Sequence, residues 1–291
     1  MSQTIYEMIT TRVTDLLQQG TVPWKKTWNA TTNMPKNLIS KKEYRGINSF
    51  ILNAMPYSSQ YWMTYKQATD LKGHIRKGEK STPVIFWKLF DITDTNGTSD
   101  TNITSKIPML RYYSVFNIDQ TEGIAPPLEP EETNNQFDPI AKAEDIVANM
   151  PQLPDIKYGG NRAYYSPTLD YIQLPHLHTF DSPEEFACCK FHEAIHATGH
   201  INRIGRKSIL EPSYFGSHEY SKEELVAEMG AAFLCGHSGI HQKTIDNSAA
   251  YIQGWLKALK NDKTLLVQAA AQAQKASDFI LNHKSTGEES E

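Results

Sequence analysis

The chain has 291 residues, 39% hydrophobic and 10% aromatic, which excludes a disordered protein and fits one large or two ordinary domains. No run approaches the roughly 18 apolar residues of a membrane span, and Met1 to Glu7 lacks the basic start and apolar run of a secretory signal, so a cytoplasmic protein with no membrane partner is expected. Net charge is −4 but uneven: residues 1–90 carry 13 Lys and Arg against 5 Asp and Glu, the remainder 16 against 28, and a basic front on an acidic protein points to a polyanion partner there.

Ile5, Ile9, Val13 and Leu16–Leu17 recur at a helical period over 4–19, stopped by Gly20. Thr21 to Trp28 reads as a loop. Tyr61 to Lys72 reads as a helix ended by Gly73. Val84–Lys88 and Tyr112–Phe116 read as strands around a polar insertion, Asp91 to Ser105. Gly123 to Asp138 holds three prolines and four acids and reads as an extended linker. A helix follows over 139–149, then two short strands within 163–174. Helices are expected over 182–200, 221–236, 247–260 and 262–283, before a disordered tail at 284–291. The expected organisation is therefore α+β in two domains. Residues 1–122 form an α+β unit, 123–138 a linker, and 139–283 a mostly helical unit with a small β-sheet. Cys188, Cys189 and Cys235 form no C-x-x-C pair and read as reduced packing thiols.

The most informative motif is His192-Glu193-Ala194-Ile195-His196. Histidines four apart on a helix lie on one face, one turn from each other, so both imidazoles reach one ion. Glu193 between them is placed to act as general base toward a water that the metal activates. Ser182 with Glu185 resembles a capping box that starts this helix.

A third ligand must come from elsewhere. The metzincin pattern H-E-x-x-H-x-x-G-x-x-H has its glycine at Gly199, but its last histidine is replaced by Asn202, and His200 is out of position. Glu224 and Glu228, four apart in an apolar segment, are the better source. Glu224 is assigned as ligand and Glu228 as an outer partner, with the exchanged roles left open. The expected metal is zinc or another divalent ion such as manganese. Tyr220 and His218, just before these acids, are candidate oxyanion donors. The 163–174 strands are candidate edges for a peptide held by strand addition.

Basic and aromatic residues alternate in the front half. Trp24, Lys25, Lys26 and Trp28, then Tyr44, Arg45 and Asn48, then Trp62, Tyr65, Lys66 and Gln67, then Arg76, Lys77 and Lys80 are the candidate contacts. Lysines neutralise phosphates and aromatic faces stack on unpaired bases, which favours single-stranded DNA over duplex. No helix-turn-helix, zinc finger or basic zipper is visible.

On these motifs the chain resembles the ArdC-type antirestriction proteins of conjugative plasmids, which include TraC-like primase-associated proteins. The matching segments are Gly20–Trp24, Tyr44–Asn48, Trp62–Ala68, Arg76–Lys80, Val115–Gly123, Phe191–His200 and Glu223–Leu234, in order along nearly the whole chain. Ala197 departs from the aromatic residue common in the family and touches nothing catalytic. The resemblance implies a single-stranded-DNA-binding domain joined to a zincin-like metallopeptidase domain of gluzincin type, binding of a divalent metal, and protection of incoming plasmid DNA from restriction during conjugation. Two other roles fit the same parts. One is a DNA-coating shield whose metal domain is structural or vestigial. The other is a protease acting on DNA-bound proteins. In either enzymatic case the substrate is a peptide or protein.

Overall fold

The computed structural model describes residues 4–25, 34–93, 104–127, 138–211, 218–240 and 249–283; for 25, 89–93, 104–108, 218–219 and 249–251 it describes the backbone alone. The expected tail lies outside these residues, as do most of the expected linker and the tip of the insertion.

The first helix, α1 (Ile5–Gln18), starts at a reciprocal cap: Thr4 Oγ1 accepts from the Glu7 amide at 3.2 Å and Glu7 Oε2 from the Thr4 amide at 2.9 Å. Its Ile9, Val13 and Leu17 face is buried. A single 3-10 turn, Pro23–Lys25, precedes β1 (Lys36–Asn37) and α2 (Ile47–Asn53), and then come β2 (Tyr61–Met63) and α3 (Tyr65–Asp70). The single helix expected over 61–72 is thus a strand followed by a short helix. Tyr61, Trp62 and Met63 are all buried in the sheet, and Thr64 opens the helix with its own reciprocal cap to Gln67. Helix α2 has no counterpart among the expected elements, and its Ile47, Phe50, Ile51 and Leu52 are core residues.

Next come β3 (His74–Ile75), β4 (Thr82–Thr93), β5 (Thr104–Asn117) and β6 (Thr121–Glu122). The main sheet has the order β1-β2-β5-β4, with β1 and β2 parallel and the other pairs antiparallel. The β4–β5 ladder runs from Thr82↔Val115 out to Thr93↔Thr104, well past the two short strands expected.

The second half begins with α4 (Pro139–Ala148), capped by Asp138 Oδ1, and a three-stranded sheet of β7 (Asp155–Tyr158), β8 (Tyr164–Ser166) and β9 (Tyr171–Leu174) in the order β7-β9-β8. Of the two strands expected as edges, β8 is one and β9 is central, because β7 pairs with it in parallel. Five helices follow: α5 (Pro183–Thr198), α6 (Lys207–Leu210), α7 (His218–Ser238), α8 (Ala249–Asn261) and α9 (Leu265–Ile280). Alanines 269, 270, 273 and 276 of α9 are buried, and α9 packs on α7 and α5.

The halves share one core. Ile9, Val13, Trp24 and Phe50 of the front half belong to the same buried cluster as Phe233, Leu259 and Leu266. Phe50 and Phe233 stack with ring centres 4.6 Å apart. The division after residue 122 therefore does not separate two hydrophobic interiors. Among the described residues no helix is long and apolar enough to cross a membrane.

Candidate metal centre

Helix α5 begins after Ser182, whose hydroxyl accepts from the Glu185 amide; Glu185 turns back to the Asp181 amide, so half of the expected box forms. Helix α7 packs on α5 in the antiparallel sense. Cys188, early in α5, sits 3.1 Å from Cys235, late in α7, as free thiols. At the other end His196 meets Glu223, early in α7. The close approach between them falls at Gly230: a Cβ there would lie 2.6 Å from Ile195 Cδ1 and 2.8 Å from its Cγ1, and Ile195 is fully buried.

This packing brings His192, His196 and Glu224 together. The two Nε2 atoms are 3.1 Å apart, and the Glu224 carboxylate lies 3.5 Å from His192 Nε2 and 3.6 Å from His196 Nε2. Four ligands held tetrahedrally at about 2.1 Å from an ion stand about 3.4 Å from one another. The three side chains match that spacing, and their ligand atoms all lie within 4.8 Å of each other. The donor set, two imidazole nitrogens and one carboxylate, suits a divalent ion and leaves a coordination position open. Side-chain exposures of 25% for His192 and 30% for Glu224 against 12% for His196 put the open side at the first two.

Charge supports the same conclusion. Burial alone would lower the His192 pKa, yet it is raised, by the hydrogen bond to Glu224 and the charges of Glu193, Glu224 and Glu228. Burial would raise the Glu224 carboxyl, but the two histidines and the Tyr220 hydroxyl hold it low. The Tyr220 hydroxyl is raised by burial and by Glu224 and Glu193. Glu193 is buried, and its charge reaches His192, Tyr220 and the Cys189 thiol, which burial and Glu193 push up to about 12. An anionic cluster of this kind favours a cation among the imidazoles.

The outer support of the site differs from the expectation. His196 Nδ1 is 3.1 Å from Glu223 Oε1, so the orienting carboxylate is Glu223. Arg206 donates to Glu223 through Nε at 3.0 Å and through Nη2 at 2.5 Å, Ser208 adds a third hydrogen bond, and Arg206 also holds the end of α5 through Thr198 and the Ile195 carbonyl. Burial would raise Glu223, but hydrogen bonds from His196 and Arg206 and the Arg206 charge bring it down to about 2. The sequence offered a signal, an acid preceding a ligand in an apolar helix, but the deciding partner, Arg206, lies 17 residues away in sequence. Glu228 instead accepts from the Trp24 indole at 3.0 Å. His200 lies 3.8 Å from Asp170, away from the ligands. Of His218 only the backbone is described.

The front-half candidates divide. Arg45, Tyr65, Lys66, Arg76, Lys77 and Lys80 are exposed. Arg45 pairs with Asp278, and Arg76 with Glu79 at 2.9 Å. Trp24, Tyr44, Asn48 and Trp62 are buried and correct the expectation that they meet DNA. Trp62 is 1% exposed, Trp24 packs edge-on to Trp255, and both Asn48 amide atoms bond to the Ile85 backbone. Gln67 is committed to capping α3 and to Asn37. Lys25 has only its backbone described, and Lys26 and Trp28 lie outside the described residues.

Residues 3–116 match the N-terminal domain of the anti-restriction factor ArdC, and residues 141–272 match the zincin-like metallopeptidase family MPTase-PolyVal. The crystal structure of the antirestriction ArdC protein from plasmid R388, metal-free, superposes with a TM-score of 0.74 at 34% identity, covering 97% of this chain and 98% of that one. The chain belongs to the ArdC antirestriction family. The Mn(II)-bound R388 ArdC structure matches equally, at 33% identity and a TM-score of 0.74, over 98% of this chain and all of that one. With the ligand geometry, that supports a divalent metal for this ArdC-family chain. DNA primase TraC of Escherichia coli is 35% identical over 95% of the chain, which spans about a quarter (27%) of TraC. The uncharacterized protein y4eC of Sinorhizobium fredii (strain NBRC 101917 / NGR234) is 31% identical over 99% of the chain and 94% of its own length.

Proposed function

We propose that this chain binds single-stranded DNA, carries a hydrolytic zinc site, and protects incoming plasmid DNA from restriction during conjugation. The observation that carries the enzymatic part is the convergence of His192, His196 and Glu224 near the buried Glu193, which shares α5 with the two histidines. His192, His196 and Glu224 would hold a divalent ion, which would supply Lewis-acid polarisation of a substrate carbonyl and a lowered pKa for a bound water. Glu193 would take the proton from that water, leaving the hydroxide to attack the carbonyl, and return the proton to the leaving amine. Glu223, held by Arg206, keeps the His196 ring in the tautomer that presents Nε2. Tyr220, whose hydroxyl bonds to Glu224 and has its pKa raised by burial and by that carboxylate, would donate to the developing oxyanion. A peptide would pair along β8, the edge of the small sheet against which α5 packs.

The strand-binding part rests on family membership and on the exposed cations Lys66, Lys77 and Lys80. The test is Glu193→Gln in the full chain. Metal content and strand affinity are expected to stay at wild-type levels, while hydrolysis falls by about 100-fold or more. Transfer of an unmodified plasmid into a restricting recipient then separates cutting from coating. Protection lost with Glu193→Gln supports the peptidase. Full protection without hydrolysis sinks its role and leaves the DNA-coating shield.

A further inference from the structure

Among the described residues of the front half, one exposed aromatic, Tyr65, lies in a basic motif, and the other three lie together on the β4–β5 ribbon. Trp87, Tyr112 and Tyr113 are 44%, 53% and 37% exposed, and Lys88 and Arg111 beside them are exposed as well. None of these five belongs to a motif that suggested DNA binding.

The ladder register explains how they are displayed. The last β2 partner of β5 is at Phe116 and Asn117, so from Thr82↔Val115 outward β4 and β5 pair only with each other among the described residues. Side chains alternate between the two faces of such a ribbon. One face carries Phe86 and Arg111 as direct partners, next to Val84↔Tyr113 and Lys88↔Met109. The Phe86 and Tyr113 rings meet there at 5.6 Å with the planes 63° apart. The other face carries Ile85↔Tyr112 and Trp87↔Leu110. On that side a cleft of about 180 Å³ opens between Trp87 and α9, with Arg45 and Gln274 on its walls.

A patch of this kind in a soluble fold marks a binding surface. The chemistry selects the occupant. Exposed flat rings accept unpaired bases, which a duplex keeps stacked on one another, and lysine and arginine on the same ribbon can meet the phosphates. Aromatic side chains offer few of the hydrogen-bond donors and acceptors that groove readout requires. The excess of positive charge in residues 1–90 favours an anionic polymer over an apolar protein partner.

We infer that the β4–β5 ribbon is the base-stacking platform for single-stranded DNA, with Trp87 and Tyr112 supplying the stacking faces on one side and Lys88 and Arg111, on the opposite side, meeting the phosphates of a strand that passes round the ribbon. This rests on the strand-binding reading above and adds the residues that perform it.

The test uses the full chain and a dye-labelled 20-mer of oligothymidylate, followed by fluorescence anisotropy at several salt concentrations. Trp87→Ala with Tyr112→Ala is expected to weaken binding about 10- to 100-fold with the salt slope unchanged. Lys88→Ala with Arg111→Ala is expected to lower the slope by about 1.4, two single-strand phosphates at roughly 0.7 each. Trp87→Phe with Tyr112→Phe keeps the rings, so near-wild-type affinity is expected, and it guards against a loss caused by misfolding. If the phenylalanine pair loses as much as the alanine pair, stacking is overturned. If wild type binds and the alanine pair binds within about twofold of it, the ribbon assignment falls while strand binding stands. If wild type does not bind the oligonucleotide, the strand-binding reading fails and this assignment with it. If light scattering shows that the alanine pair changes only the oligomeric mass, the ribbon is a self-association surface and the inference is wrong.

Discussion

The candidate metal centre and the proposed nucleic-acid surface are both made of polar and aromatic side chains on a shared scaffold, yet the chain encodes them differently. His192, Glu193 and His196 are tied to one another by a single helix, and the helical period alone places them on neighbouring turns. Only Glu224 has to be brought in, by the packing of α7 on α5. The front-half candidates have no such common frame. A tryptophan beside two lysines reads the same whether it faces water or the core, and the sheet decides. Trp24 and Trp62 went inward, while Trp87 and Tyr112, in a stretch that read as an ordinary strand, stayed out. Local periodicity makes chemistry legible; exposure is a property of the whole fold.

The sharpest way to press this contrast is to remove groups that differ only in how they were found. Glu224→Ala should lower metal affinity more than about 100-fold, beyond the 10- to 100-fold typical of an orienting partner, and Glu223→Gln should fall within that lower range. Competition against a colorimetric chelator measures both. If Glu228→Ala costs more metal than Glu224→Ala, the ligand assignment is wrong.

A second comparison concerns the halves themselves. Phe50→Ala removes a ring stacked on Phe233 and should destabilise the protein by about 3–5 kcal/mol. Because the core is shared, chemical denaturation should show one transition, moved as a unit, by both tryptophan fluorescence and far-UV circular dichroism. Two separated transitions would restore the picture of independent domains. The same sharing means that a fragment ending at residue 122 would expose the α1 face that packs on α8 and α9, so strand binding is best measured on the full chain.

The smallest of these effects belongs to Trp24→Phe. It keeps a ring against Trp255 but leaves Glu228 without its indole donor. The expected loss is about 1–3 kcal/mol of stability, with affinity for the oligonucleotide unchanged. A clear drop in strand affinity without loss of stability would return Trp24 to the DNA surface.

Much of the fold was readable. The α1, α4, α8 and α9 segments follow apolar periodicity, α5 and α7 are marked by their histidine and glutamate motifs in apolar surroundings, and end signals stand at Thr4, Asp138 and Ser182. The misreadings share one cause. Tyr61–Met63 and Asp155–Tyr158 are short strands whose stability comes from partners distant in sequence, so no local pattern marks them. Glu223 depends in the same way on a distant partner, since its role rests on Arg206 reaching it from the segment between α5 and α6.

Gly230 gives the metal centre a mechanical side. Glycine inside a helix sacrifices about 1 kcal/mol relative to alanine, and here it stands six residues, about 9 Å of helix, beyond Glu224. Two helices touching at that point behave like the blades of a pair of shears with Gly230 near the pivot. A single methyl group inserted against Ile195, which sits between the two histidines, would push α7 away and shift the Glu224 carboxylate relative to them. How tightly this chain holds its ion is thus set partly by the gap between two helices, at a residue with no side chain to offer.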